Sequence, residues 1–415
     1  MRLNGRLCTI VHIYADAPDY SPTDAAEEGI ACVDDVARAA VVYMKAAEKG
    51  LSVDFDRLKG LLRFVLFMQT EDGEFYNFID RQGFVNTDGP TSRKSFAFWA
   101  ARGYWALGEG YTFFRFRDRD FADSLKTAFL RCKKPISNCL QYYGTFSYIG
   151  GRRYPAWLPQ RHAADAASEL LLGLAAFLRV EMDPLLAEQA RKLAEGIVLM
   201  QIEELKELRG AYESWPGVWH AWGNAQVQAL SVMAGLLKDE QLKEAAVSGG
   251  DFLTRLAVGH PVSAYEFEND RFIVYPQIAY DVRTTALGLL ELYRLTGDER
   301  YAILAALSAS WLTGFNLARE AMYDRATGRV YDGIDPEGVN RNSGAESTIE
   351  GLLTLLEIGA EPRAAAWLGA KPVAPVSSLF QTNEANIRLQ TSAGRIEIKK
   401  RSAESTLEIS WEKYD

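Results

Sequence analysis

The sequence predicts an all-α fold, an (α/α)6 toroid of six helical hairpins, and three observations lead to it. Helical stretches recur in pairs, the first members starting about 60 residues apart, with no long Pro- or Ser-rich linker between them. The two helices of each pair differ, the first apolar nearly all round and the second amphipathic. The connections alternate too, short within a pair and long and aromatic between pairs.

Read by 3.6-residue period and by caps, the pairs are 34–49 with 54–70, 92–108 with 118–133, and 162–179 with 183–206. They continue as 218–237 with 239–256, 280–296 with 298–316, and 343–358 with 361–369. First members such as ASELLLGLAAFL and STIEGLLTLLEI suit an inner ring, buried on most sides; second members such as PLLAEQARKLAEGIVLM suit an outer ring with one wet face. Turns such as VEMDP, LKDE and TGDE close each hairpin. The long loops, 70–90, 140–160, 208–222, 260–280 and 322–344, then gather on one face, at the N-termini of the inner helices. Several contain glycine-punctuated alternating segments that read as small β-hairpins. The tail differs: residues 385–413 alternate apolar and polar with β-branched residues, so they read as strands. This divides the chain into a barrel over 1–372 and a short β-rich tail over 373–415.

A net charge of −9 argues against a nucleic-acid surface, and no apolar run approaches the roughly 18 residues of a membrane span. The first residues lack the pattern of a secretory signal, which leads to the expectation of a cytoplasmic protein. Cys8, Cys32, Cys132 and Cys139 show no metal-ligand spacing and read as free thiols, with a Cys132–Cys139 bridge as the alternative. No dinucleotide, P-loop or zinc-protease motif occurs, and the would-be calcium loop DPEGVNRNSGAE has Asn340 where glycine is required. Neither a metal nor a cofactor is expected.

Three segments resemble a known family. VDDVARAA (33–40), ARGYWALG (101–108) and GVNRNSGAESTIEGLL (338–353) are similar to motifs of the six-hairpin domain fused to, or encoded beside, some bacterial glycosyltransferases. ARGYWALG departs from the family pattern by placing Arg102 before the glycine. The resemblance implies the toroid, a carbohydrate context and a possible glycosyltransferase partner.

Glycosidic hydrolysis needs two carboxyl groups flanking a sugar-binding pocket. Acids expected at the mouth are Asp34, Asp35, Asp88, Asp165, Glu213, Glu266, Asp281, Asp335 and Glu346, each with a competing role as a helix cap or dipole partner. Asp34 reads as the N-cap of the first helix, and Asp35 can pair with Arg38 three residues on. Glu346, behind the polar run Asn340, Asn342, Ser343, and Asp35 are the first expected catalytic pair, with Asp281 and Asp335 behind them. Arg283 follows Asp281 in YDVRTTAL and is expected to bind substrate. Trp157, Trp215 and Trp219 offer sugar platforms, while Arg161, His162 and His220 supply polar contacts on the same face. The expectation is a glycoside hydrolase acting on an oligosaccharide or polysaccharide, inverting because a wide mouth suits carboxylates about 6.5–9.5 Å apart. The alternatives are a sugar epimerase or isomerase working through His162 or His220, and a non-catalytic carbohydrate-binding module serving a glycosyltransferase.

Overall fold

A computed structural model of the chain describes residues 1–24, 28–259, 262–373, 384–401 and 407–414. Six inner helices close a ring: α1 (Val33–Glu48), α3 (Phe98–Phe114), α6 (Ala164–Leu178), α8 (Gln226–Leu237), α10 (Ala279–Thr296) and α12 (Ala345–Ala360). Each packs on the next in that order and α12 returns to α1. Around them lie α2 (Phe55–Met68), α4 (Arg119–Leu130) with α5 (Lys133–Leu140), α7 (Pro184–Val198), α9 (Glu240–Gly259), α11 (Glu299–Ala309) and the single turn α13 (Pro362–Ala365). The toroid predicted from periodicity is the observed fold, and no helix among the described residues is long and apolar enough to cross a membrane.

Inner helices α3, α6 and α10 bury most of their positions, α6 all of Ala164–Leu178 except Asp165, because they face neighbours in the ring and the outer layer alike. The tightest approach joins α3 to α6. A Cβ on Gly108 would stand 2.3 Å from the Gly173 carbonyl oxygen, and one on Gly173 would stand 2.6 Å from that of Tyr104. Gly108 thus lies inside α3 and does not end it, as the expected boundary of 108 had it.

Helix starts differ from expectation where the long loops pair as strands. Residues 92–97 are turn and bend, with Ser95 bridged to Phe75, and α3 therefore begins at Phe98. Trp219–His220 pair with Ala264–Tyr265, which moves the start of α8 from 218 to Gln226. The expected β-hairpins form at Phe146–Ile149 with Arg152–Pro155, Ala264–Glu266 with Arg271–Ile273, and Gly333–Asp335 with Gly338–Asn340. The tail is a four-stranded antiparallel sheet of Lys371–Pro372, Ala385–Thr391, Gly394–Lys400 and Glu408–Lys413. Its buried Ile387, Leu389, Ile396 and Ile398 belong to the same apolar cluster as Trp367 and the barrel core. All four cysteines are free.

Candidate active site

The inner helices all begin on one face, and there they surround a cavity of about 460 Å³. Every inner helix contributes to it from its first turns or the residues just ahead: Asp34, Phe98 and Arg102, Asp165 and Glu169, Ala225, Ile278 and Tyr280, and Glu346. The loop before α8 adds Trp215, His220 and Trp222. The size is that of a small-molecule pocket, and the rings of Phe98, Trp215, Trp222 and Tyr280 stand beside four carboxyl groups.

Beneath the floor of this cavity runs a polar network that touches all six inner helices. Arg38 of α1 is wholly buried; it bonds Asp35 at 2.9 Å and Glu346 at 3.1 Å, and pairs with Glu350. Arg283 of α10 bonds Glu350 at 2.6 Å, Glu169 of α6 at 2.7 Å and Gln228 of α8 at 3.3 Å. Arg102 of α3 joins Asp34 and the Tyr280 hydroxyl. The three guanidinium groups lie about the Tyr280 ring, 5.1, 5.1 and 5.0 Å from its centroid. Such a network is demanding, since each buried charge must keep its partner.

Electrostatics separate the carboxyl groups. Burial by itself raises Asp34, but Arg102 and Arg38 outweigh it and hold the group below the usual carboxylate range. Burial likewise opposes ionisation of Glu350, and Arg283 and Arg38 reverse that to a net lowering. Asp165 has no arginine bonded to it; burial lifts it to about 7, against a hydrogen bond of 2.7 Å from the Ala166 N–H. Burial raises Glu346, with Arg38 opposing. His220 is driven down to about 4 by burial. Its Nδ1 accepts the Gly223 N–H at 2.8 Å, so the ring is neutral with its proton on Nε2.

The structure redistributes the residues expected from sequence. Glu346, Trp215 and His220 line the cavity as expected. Asp35 and Glu346 do come together, but Asp35 is only 3% exposed and sits behind the wall, bonded to Arg38 and the Cys32 thiol. Carboxylate oxygens of Asp34, Asp35 and Glu346 lie within 4.8 Å of one another, too close for the spacing of an inverting pair built on Asp35 and Glu346. Asp34 is not the N-cap: Cys32 is, its sulfur accepting the Asp35 N–H at 3.4 Å. Arg38 and Arg283 are buried struts that touch the cavity only through their partners. Asp281 is fully buried, accepts the Ile278 N–H at 3.2 Å, and is raised well above the carboxylate range by burial.

Others lie away from the cavity altogether. Trp157 packs against Tyr143 and Phe146 and donates to the Lys192 carbonyl at 2.9 Å, beside α7. Trp219 is core, edge-on to Phe252 and Phe272. Glu213 pairs with Arg152 and accepts the Gly217 N–H at 2.8 Å, tying the 146–155 hairpin to the neighbouring loop. His162 contacts the Pro155 carbonyl at 2.8 Å, and Arg161 lies over the Tyr142 ring. Asn340 accepts the Asn342 N–H at 3.1 Å, and Asn342 accepts the Ala17 N–H at 2.9 Å, so both organise loops. Asp335 lies in the 333–340 hairpin and Asp88 on an exposed turn. Trp157, Glu213, His162, Arg161, Asn340 and Asn342 are polar or aromatic residues that hold the long loops in place, which loop composition cannot distinguish from a ligand contact.

Sequence reasoning gave no role to Glu169 or Glu350, left Asp165 among many acids, and assigned nothing to Arg102. A signal was present. Asp165 and Glu169, like Glu346 and Glu350, are acids four apart on one face of an otherwise apolar inner helix.

No protein-family model and no curated protein matches the sequence. Solved structures do match in fold. A sugar epimerase from a ruminal bacterium superposes with a TM-score of 0.60 at 13% identity, over 84% of this chain and 91% of that one. Cellobiose 2-epimerase from Bacillus thermoamylovorans gives 0.60 at 12%, over 86% and 94%. The GH family 9 endoglucanase J30 gives 0.51 at 16%, over 85% and 78%. The chain shares their six-hairpin, glycosidase-like toroid.

Proposed function

We propose that the chain is a carbohydrate-active enzyme that hydrolyses a glycosidic bond of an oligosaccharide bound in the cavity over the inner-helix N-termini. Asp165 donates the proton to the leaving oxygen and Asp34 is the ionised partner. One observation carries the reading: these two cavity carboxyl groups are pushed apart in pKa, Asp34 down beside two arginines and Asp165 up to about 7 with none bonded to it. That division is what acid–base hydrolysis at neutral pH requires. The aromatic wall of Phe98, Trp215 and Trp222 suits sugar rings, and the solved structures of like fold are described as sugar epimerases and an endoglucanase.

The test is release of reducing ends from a panel of oligosaccharides, with epimers of the substrate followed by chromatography. The wild-type chain is expected to release reducing ends, and Asp165→Asn to lower the rate on the order of 10²–10⁴-fold while retaining the fold. Asp34→Asn should lose turnover as well, and Glu346→Gln reports whether the residue opposite Arg38 shares the work. Loss of turnover in Glu346→Gln with full turnover in Asp165→Asn overturns the assignment of the acid. A second reading, a sugar epimerase or isomerase, is favoured by the solved structures of like fold that are described as sugar epimerases. It is established instead if epimers form and no reducing end appears. Saturable sugar binding with no conversion of any kind identifies a binding module.

A further inference from the structure

Three residues on the cavity wall hold a buried polar atom that meets no protein partner: Arg102 Nε, Glu169 Oε2 and His220 Nε2. Arg102 is already committed through both terminal nitrogens to Asp34 and Tyr280. The other two are engaged only at the opposite atom of the same group, His220 at Nδ1 by Gly223 and Glu169 at Oε1 by Arg283. Buried polar atoms are satisfied in native proteins, so a pair of unmet ones on the wall of an open cavity marks where a ligand supplies the partners.

We propose that His220 and Glu169 form a hydroxyl-recognising pair, in which His220 Nε2–H donates to one sugar oxygen and Glu169 Oε2 accepts from a sugar hydroxyl. The inference rests on the sugar-site reading above and adds its specificity contacts. His220 cannot turn away. Its ring is stacked on Trp222 at 4.1 Å with planes 4° apart, Trp215 stands edge-on at 4.7 Å, and Nδ1 holds the Gly223 N–H. Residue 223 must be glycine for the ring to lie there, since a Cβ would come within 2.2 Å of His220 Cε1. Glu169 is fixed in the same way. Its Oε1 bonds Arg283 at 2.7 Å, the side chain is 4% exposed, and Oε2 is left over.

The pair presents one fixed donor and one fixed acceptor, and a hydroxyl can serve either, being both at once. The same geometry defines what His220 does not do. Its Nε2 already carries the proton and the lone pair of Nδ1 is engaged by Gly223, so it has no free lone pair with which to take a proton from a sugar carbon. Both residues are positioning groups.

The experiment separates this inference from the reading beneath it by measuring binding apart from turnover. Quenching of the Trp215 and Trp222 fluorescence is followed with glucose, mannose, N-acetylglucosamine, cellobiose and mannobiose. The best binder is then compared with its monodeoxy derivatives. One or two deoxy positions are expected to lose about tenfold or more in affinity for wild-type protein, and to lose nothing further in His220→Phe or Glu169→Gln. His220→Gln, which keeps a donor, should recover part of the affinity and raise KM more than it lowers kcat. Because Glu169→Gln loosens Arg283 and is at risk of misfolding, the deoxy series on wild-type protein stands as the independent measurement. Deoxy losses that all persist unchanged in both His220→Phe and Glu169→Gln overturn the pair and leave the sugar site standing. So does a collapse of kcat at constant KM in His220→Gln, which is the mark of a proton shuttle. Failure of every sugar to bind overturns both.

Discussion

The helix starts of the outer and inner rings show two uses of the same residue type. The outer helices α2, α4, α7, α9 and α11 each open at a short turn with an acid as cap. Asp54 accepts two N–H groups of α2 at 3.0 Å, Asp118 one of α4 at 3.2 Å, and Asp183 one of α7 at 3.0 Å with Pro184 behind it. Asp239 and Asp298 do the same for α9 and α11. At the inner starts, α3, α6, α8 and α12 have no side-chain cap, and the acids of the first turn look across the ring to arginines or into the cavity. The outer caps serve their own helices; Asp34, Glu346 and Glu350 pair with arginines of other helices, while Asp281 still bonds the Ile278 N–H ahead of its own. What decides between the two is the neighbour and not the residue.

Removing an inner acid should therefore cost far more than removing an outer one. Glu350→Gln leaves Arg38 and Arg283 each short of a buried anion, and about 3–5 kcal/mol of stability should be lost, read by urea or thermal unfolding. A loss under 1 kcal/mol would mean the network closes the ring far less than its geometry suggests. Asp165→Asn goes the other way. In the unfolded chain this group ionises near 3.8, and in the fold only near 7, so the native state binds more protons between those values and wild-type stability falls as pH rises through the window. The variant lacks this term. Its stability relative to wild type, read by urea unfolding, should climb from pH 4 to pH 7 by a few kcal/mol in all and level off above. If Asp165 donates the catalytic proton, wild-type turnover should also decline above about pH 7.

The outer ring supplies the small effects. Asp183→Ala should cost about 1 kcal/mol, the ordinary worth of an N-cap, with no change in sugar binding. Asp88→Ala, on an exposed turn remote from the cavity, should fall within about 0.5 kcal/mol of wild type and leave any activity intact. A large effect on activity at Asp88 would redraw the site. A large effect on stability at Asp183 would blur the contrast between the rings.

What the sequence determined by itself was everything set by periodicity and by the alternation of connections. Apolar spacing separates ASELLLGLAAFL from PLLAEQARKLAEGIVLM without any knowledge of neighbours, so the inner and outer rings, their order and the face carrying the long loops were all legible. The sheet of the tail followed from its alternation in the same way. Tertiary structure alone decided which polar residues meet. Arg38 and Glu350 are 312 residues apart, and Arg283 and Glu169 are 114 apart; ring closure brings each pair together, and no local pattern encodes the meeting. It likewise placed Trp215 in the cavity and Trp219, four residues on, in the core: Trp219 and His220 form one two-residue strand, whose alternation turns His220 to the cavity and Trp219 toward Phe252 and Phe272. Apolar period is written along the chain, whereas charge partnership and exposure belong to the surfaces that packing brings face to face.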